Sequence, residues 1–322
     1  MNLIDLGWDR FFDGHFVSYR ELGLSAMRII RENRDSYTTY GEQGELLGTI
    51  SGKFRFEADQ RGKFPAVGDW VAASTHSEEA KATIHAVLPR KSVFSRKVAG
   101  KVTEEQVLAA NIDTTFIICG LDANFNLRRI ERYLSVAWES GSRPVVLLNK
   151  SDICSAAEAR KKEVESIAPG IHVHTMSATR GVGLDILYGY IPRGKTGVFL
   201  GSSGVGKSTI INSLLGTERL KVGAVREFKS RGRHTTTFRE LLILPHGGMV
   251  IDTPGMRELQ VWGDKEGVKQ VFDEIDALAA KCRFKDCTHQ IEPGCAVQEA
   301  IENGSLDPER LKSAVKLKKE FA

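Results

Sequence analysis

Gly197-Val198-Phe199-Leu200-Gly201-Ser202-Ser203-Gly204-Val205-Gly206-Lys207-Ser208-Thr209 reads as a buried strand, a glycine-rich loop and the start of a helix. The loop satisfies the spacing Gly-x4-Gly-Lys-Ser in full. Glycines let successive backbone N–H groups turn inward around a β-phosphate. Lys207 then places a point charge between β- and γ-phosphates, the Ser208 hydroxyl is positioned to ligate Mg²⁺, and Thr209 falls near an α-phosphate. The helix from Thr209 to Leu215 points its positive end at the anion. Gly201, Ser202, Ser203, Gly204, Val205, Gly206, Lys207, Ser208 and Thr209 are thus candidate nucleotide ligands.

Downstream, the apolar run Gly248-Met249-Val250-Ile251 ends in Asp252-Thr253-Pro254-Gly255. A carboxylate at a strand end suits Mg²⁺ through water, and the Gly255 N–H suits a γ-phosphate. Alone this is an ordinary turn; beside the glycine loop it reads as a nucleotide-sensing switch. Between the two lies Lys229-Ser230-Arg231-Gly232-Arg233-His234-Thr235-Thr236-Thr237, a polar loop whose threonines can complete a Mg²⁺ shell. Thr236 is the choice among them.

Upstream, Pro144-Val145-Val146-Leu147-Leu148 closes in Asn149-Lys150-Ser151-Asp152. Asp152 can accept two hydrogen bonds, from guanine N1–H and the 2-amino group. Adenine offers neither, so a buried acceptor would discriminate between them. Lys150 can lie along the base plane, Ser151 completes the turn, and Asn149 can tie this loop to the phosphate cradle. Met176-Ser177-Ala178 follows another strand, and a tight turn at Ser177 and Ala178 can direct a backbone N–H at guanine O6. Both motifs together favour GTP over ATP.

The position after Gly255, where many GTPases carry a water-orienting glutamine, is Met256, so the intrinsic rate is expected to be low. His234 is a candidate replacement, able to position water or relay a proton near neutral pH; the other reading is a loop histidine with no catalytic role. Arg231, Arg233 and Arg257 suit either transition-state charge or RNA, and the sequence does not separate these roles.

The 322 residues suffice for two or three domains, and 41% hydrophobic with 27% charged residues is an ordinary globular composition. No run of about 18 apolar residues suggests a membrane span. The N-terminus lacks a basic region leading into an apolar one, so a cytoplasmic protein is expected. A net charge of +4, from 45 basic and 41 acidic residues, permits an RNA-binding face without requiring one.

Residues 1–40 are read as an N-terminal extension, with a short helix over Leu22–Arg31. Residues 41–98 alternate in short strands, including Leu47 to Phe56, and predict a small antiparallel barrel or sandwich. Residues 99–259 alternate strand and helix, which predicts a mostly parallel α/β sheet with helices on both faces. Residues 260–322 read as helical, with Cys282-x4-Cys287-x-His289-x5-Cys295 inserted. Three thiolates and one imidazole form the ligand set of a closed structural zinc site.

The barrel region and its exit hold Lys53, Arg55, Arg61, Lys63, Arg90, Lys91, Arg96, Lys97 and Lys101, interleaved with Phe54, Phe56, Phe64, Trp70 and Phe94. Such a surface suits RNA by charge and stacking; equally, the aromatics fill the barrel core and the charges are solvated. Arg310, Lys312, Lys316, Lys318 and Lys319 form either a second basic patch or a soluble helix.

The base clamp precedes the phosphate cradle, the reverse of an ordinary small GTPase. This order resembles the circularly permuted GTPases. The N-terminal β-domain and the C-terminal Cys/His cluster narrow the resemblance to the RsgA-type GTPases of small-subunit ribosome biogenesis, over roughly residues 41–300. The resemblance implies an OB-fold at 41–98, a permuted P-loop G domain and a helical zinc domain. It also implies slow GTP hydrolysis stimulated by the small (30S) ribosomal subunit, with rRNA contact, and supports His234 as catalytic. One Zn²⁺ per chain, Mg²⁺ with GTP and a monomer are expected. The alternative is a GTP-sensing RNA-binding regulator with incidental turnover, and an ATPase is the weaker third option. The permutation also places Asp252–Gly255 at the exit of the G domain, as a covalent lever on the zinc segment.

Overall fold

The computed structural model describes residues 2–58, 60–98, 104–218, 239–252 and 266–320. Helix α1 (Arg10–Glu21) opens the chain, its first turn capped by Asp9, whose carboxylate accepts from the Phe11 N–H at 3.0 Å. Phe12 and Phe16 form its buried stripe, and Trp8 meets Trp70 edge-to-face at 4.8 Å.

Five strands then close a barrel: β1 (Ser25–Glu32), β2 (Tyr37–Gly41), β3 (Gly44–Ile50), β4 (Trp70–His76) and β5 (Lys81–Val87). Their order is β1-β2-β3-β5-β4, and β1 pairs with β4 to complete the circle. The β3–β5 pair is parallel and the others antiparallel. The barrel therefore begins at residue 25, inside the stretch expected to be an extension, and the expected Leu22–Arg31 helix is corrected to a strand. Both faces of β1 are buried. Met27 and Ile29 enter the barrel core with Val71 and Ile84, while Ala26 and Arg28 face outward under other elements. A strand buried on both faces loses its period-two signature. The strand expected over Leu47–Phe56 ends at Ile50. Ser51 caps helix α2 (Gly52–Glu57) by accepting from the Phe54 N–H at 3.1 Å.

A ribbon of β6 (Val93–Val98) and β7 (Glu104–Ala110) leads into the α/β domain. There follow β8 (Thr114–Gly120), α3 (Leu127–Glu139), β9 (Arg143–Asn149), α4 (Ala157–Ile167), β10 (His172–Thr175) and α5 (Ile186–Tyr190). Next come β11 (Thr196–Leu200), α6 (Lys207–Leu215), β12 (Glu240–Ile243) and β13 (Met249–Asp252). The sheet order is β10-β9-β8-β11-β13-β12, parallel except for β12. Every residue of β8 is buried: the apolar run Phe116–Cys119 fits a strand covered on both faces, and the hydroxyls of Thr114 and Thr115 bond to the Tyr190 carbonyl and to Ser142. Ile117, Val146 and Val198 pack on one face with Ile130 and Leu134 of α3, while Phe116, Val145 and Phe199 pack on the other with Ile210 and Leu214 of α6. Helices thus cover both faces, as the alternation predicts.

Helices α7 (Glu266–Val271), α8 (Asp273–Ala279), α9 (Ala296–Glu302) and α10 (Pro308–Glu320) form the C-terminal part. They dock on α3. A Cβ at Gly267 would overlap the Ser135 carbonyl, so only glycine permits this approach of α7. Glu131 of α3 is fully buried; it accepts from Arg310 Nη1 at 2.9 Å and from Ser313 Oγ at 2.6 Å, and pairs with Arg128.

Arg28 fastens the barrel to the rest. It is 1% exposed and donates to the carbonyls of Leu6, Gly68 (3.3 Å) and Asn111 (3.2 Å) and to Thr196 Oγ1 (2.9 Å). Burial pushes its pKa down to about 10, partly opposed by Asp113 and Asp69, so it stays charged at neutral pH.

Candidate nucleotide site and metal cluster

The carboxyl ends of β8, β9, β11 and β13 gather at one edge of the sheet, where open α/β folds bind ligands. The loop Gly201–Gly206 leaves β11 there and enters α6. A Cβ at Gly201 would sit 2.6 Å from the Ile118 carbonyl, and one at Gly206, where φ is +105°, would overlap the Asn149 amide. Lys207 Nζ lies over the loop, donating to the carbonyls of Gly201 at 2.6 Å and Ser202 at 2.7 Å. Ser208 and Thr209 occupy the first turn of α6, and Asp252 ends β13.

Asn149 joins three loops. Its side chain, 3% exposed, donates to the Val205 carbonyl at 2.7 Å and accepts from the Ala178 N–H at 2.9 Å. The role of tie assigned to it from sequence agrees with this geometry. Lys150 is held at φ +67° and starts the short 3-10 turn Ser151–Ile153, which carries Asp152. Ser177 Oγ donates to Asp152 Oδ1 at 2.6 Å. That hydrogen bond holds the Asp152 carboxyl below its usual range, leaving an ionised acceptor at neutral pH.

Two residues at this edge escaped sequence reasoning. Asp122, just past β8, accepts from Lys150 Nζ at 2.6 Å. Desolvation works against its charge, but the Lys150 bond and the Asn124 N–H outweigh it and lower its pKa. Its signal was available: an acidic residue directly after a parallel strand. Arg129, in the first turn of α3, donates to Ser202 Oγ at 3.3 Å. No motif marks it. His234, Thr236, Gly255, Met256, Arg231, Arg233, Arg257 and Lys101 lie outside the described residues.

Cys282, Cys287, His289 and Cys295 converge, their ligand atoms all within 4.8 Å of one another. Cys282 Sγ is 3.9 Å from Cys295 Sγ and 3.6 Å from His289 Nδ1, and Cys295 Sγ is 3.4 Å from that nitrogen. A tetrahedral ion with Zn–S near 2.3 Å sets sulfur atoms about 3.8 Å apart, so the donor set fits one structural zinc. Cys295 also caps α9, accepting from the Gln298 N–H at 3.4 Å. That backbone donor would also meet charge on a ligating Cys295 thiolate.

The barrel aromatics divide. Trp70 and Phe94 are core, while Phe56 on α2 is 90% exposed beside exposed Lys53, Arg55, Arg61 and Lys63. Arg90 leaves the basic surface: it grips buried Asp69 at 2.7 Å and the carbonyls of Gly62 and Phe64. Arg310 is likewise structural, bound to Glu131, Glu274 and the Val271 carbonyl. Among the described residues no helix is long and apolar enough to cross a membrane.

A parallel sheet whose base clamp precedes its phosphate cradle, joined by Asn149 and preceded by a five-stranded barrel, defines a circularly permuted P-loop GTPase with an added zinc segment. A family model described as RsgA GTPase matches residues 87–262. The chain is 48% identical to the small ribosomal subunit biogenesis GTPase RsgA of Opitutus terrae, over 100% of this chain and 90% of the relative. It is 44% identical to the protein of the same name from Syntrophotalea carbinolica, with the same coverage. The crystal structure of YjeQ from Thermotoga maritima superposes with a TM-score of 0.69 at 28% identity, over 92% of this chain and 98% of that one. YloQ, a circularly permuted GTPase, shares the fold at a TM-score of 0.63 and 20% identity, over 92% and 95%. The chain belongs to the RsgA GTPase family.

Proposed function

We propose that this protein hydrolyses GTP to GDP and phosphate while bound to the small ribosomal subunit, in the subunit's late maturation. The observation that carries the nucleotide half is the Asn149 bridge, which holds base clamp, phosphate loop and the Ser177-Ala178 turn in one site. The partner comes from the relatives, which are named for small ribosomal subunit biogenesis. GTP favours the subunit-bound state, and hydrolysis releases the factor.

In this reading Asp152 accepts from guanine, Lys150 lies along the base, and the loop N–H groups of residues 201–209 hold the phosphates with Lys207. Ser208, Thr236 and Asp252 would hold Mg²⁺, which would supply positive charge beside the β- and γ-phosphates. Gly255 offers its N–H to the γ-phosphate. His234 positions the attacking water, since Met256 cannot. The exposed Phe56 and its basic neighbours on and after α2 form the rRNA-facing patch, supported by a stacking face among cations. The protein acts as a cytoplasmic monomer.

Phosphate release is the test. Purified small subunits accelerate it strongly in the wild type, and His234→Ala abolishes the acceleration while leaving GTP affinity nearly intact. No acceleration of the wild type would move the reading to a GTP-sensing RNA-binding regulator.

A further inference from the structure

We propose that Arg129 is an arginine supplied in cis to the γ-phosphate of GTP, delivered by α3 rather than by either switch loop. The inference rests on the nucleotide reading above and adds a residue to it. Three arginines crowd the first turns of α3. Arg128 pairs with Glu131 and with Asp307 at 2.8 Å, and Arg132 pairs with Glu320. Both turn toward the C-terminal helices. Arg129 turns the other way. Its Nη1 reaches Ser202 Oγ and the Asn124 carbonyl, each at 3.3 Å, and no carboxylate pairs with it among the described residues.

A cation in the first turn of a helix opposes the helix dipole. Asn126 caps this turn, accepting from the N–H of Arg129 itself at 2.9 Å. The guanidinium therefore stands at a positive helix end with only neutral acceptors. An anion beside Ser202 resolves both, and Ser202 is the second residue of the phosphate cradle. Lys207 reaches the carbonyl of the same residue, so two cations meet at Ser202 from its carbonyl and hydroxyl sides. The far end of the cradle enters α6, whose N–H groups suit the α- and β-phosphates. Ser202, at the near end, flanks the terminal phosphate.

In hydrolysis the water oxygen bonds to the γ-phosphorus. The bond to the β–γ bridging oxygen breaks, its electron pair leaves with GDP, and the water proton passes to the released phosphate. A guanidinium at this edge neutralises charge that grows on the bridging and γ-oxygens, a contribution present in GTP and its transition state and absent with GDP.

The test compares wild type, Arg129→Ala and Arg129→Lys. Affinities for GDP and for a non-hydrolysable GTP analogue are measured by titration, single-turnover hydrolysis with and without small subunits, and trapping by GDP with aluminium fluoride. Arg129→Ala is expected to lower the hydrolysis rate by about 10²–10³-fold. It should also weaken the triphosphate analogue about tenfold, abolish fluoride trapping and leave GDP affinity unchanged; Arg129→Lys restores part of the rate. Equal losses for GDP and the analogue would show that Arg129 only shapes the loop, and a rate within about twofold of wild type would show that it does nothing; either overturns the proposal. A wild type that binds no guanine nucleotide overturns the nucleotide reading itself, which separates the two failures.

Discussion

At Asp152, which is exposed rather than the buried acceptor expected, one hydrogen bond sets the orientation. The Ser177 hydroxyl fixes the carboxylate and lowers its pKa further below the ordinary value. Because the pKa is lowered, the acceptor is present above the ordinary carboxylate range and is lost only as pH falls through the lowered value. Affinity for GDP should therefore stay level down to about pH 5, near the upper end of ordinary carboxylate titration. Asp152→Asn replaces an acceptor by a donor. Two charge-assisted hydrogen bonds to the base are at stake, so GDP affinity should fall by roughly 10²-fold. Xanthosine diphosphate, with a carbonyl in place of the 2-amino group, should bind the variant better than GDP. Equal loss of both nucleotides would refute the base-reading role. Asp152, Asn149 and the glycine loop were legible because each sits in a short motif with its own chemistry. Arg129 was not legible, because it and Ser202 meet only when β8 and β11 pair.

Elements place these side chains, and the C-terminal helices show how little sequence says about placement. The Cys/His spacing announced a metal, and the ligand geometry agrees. Nothing in it announced that α7 and α10 would clamp α3, since Arg310 reads as one member of a basic run and nothing singles out Glu131. They are buried partners, with Ser313 and Glu274 completing their bonds. The Cys/His cluster lies between α8 and α9, where a bound zinc would tie down the loop that joins them. Purified protein should carry one zinc per chain. Cys295→Ser should lose it, lower the helical circular dichroism and open residues 280–296 to trypsin, while guanine affinity persists because the sites share no residue. Folded, zinc-free wild type with freely titrating thiols would contradict this. Alongside the lever expected at Asp252–Gly255, the docking offers a second route to the C-terminal helices. Residues 253–265 lie outside the described set, whereas α3 touches the phosphate loop through Arg129 and the C-terminal helices through Glu131.

Across the whole molecule, the barrel and the α/β sheet are continuous through the β1–β12 pairing at Arg31 and Glu240, and Arg28 is the staple behind it. It satisfies acceptors from the N-terminal segment, the barrel and the α/β domain at once. Arg28→Leu leaves these groups buried without donors, at about 1–3 kcal/mol for each that water cannot reach. Calorimetry should then resolve two transitions where the wild type shows one, with the barrel melting first. A single transition at the wild-type temperature would show that the staple carries no load.

What the sequence by itself determined is what local spacing encodes: the glycine-rich loop, the Asn-Lys-Ser-Asp turn, the Cys/His cluster, their order in the chain and the α/β alternation. These depend on residues a few positions apart and on the period of one element. What only the tertiary structure decided is whatever depends on both faces of an element being covered. Strand β1 was hidden because Met27 and Ile29 face the barrel core while Arg28 faces the other domain. Arg310 and Arg90 left the basic surface because their carboxylates lie on other elements. Arg129 gained its place because parallel pairing sets the start of α3 beside the end of β11. Burial and long-range pairing are properties of the assembled sheet, and no local pattern of residues records them.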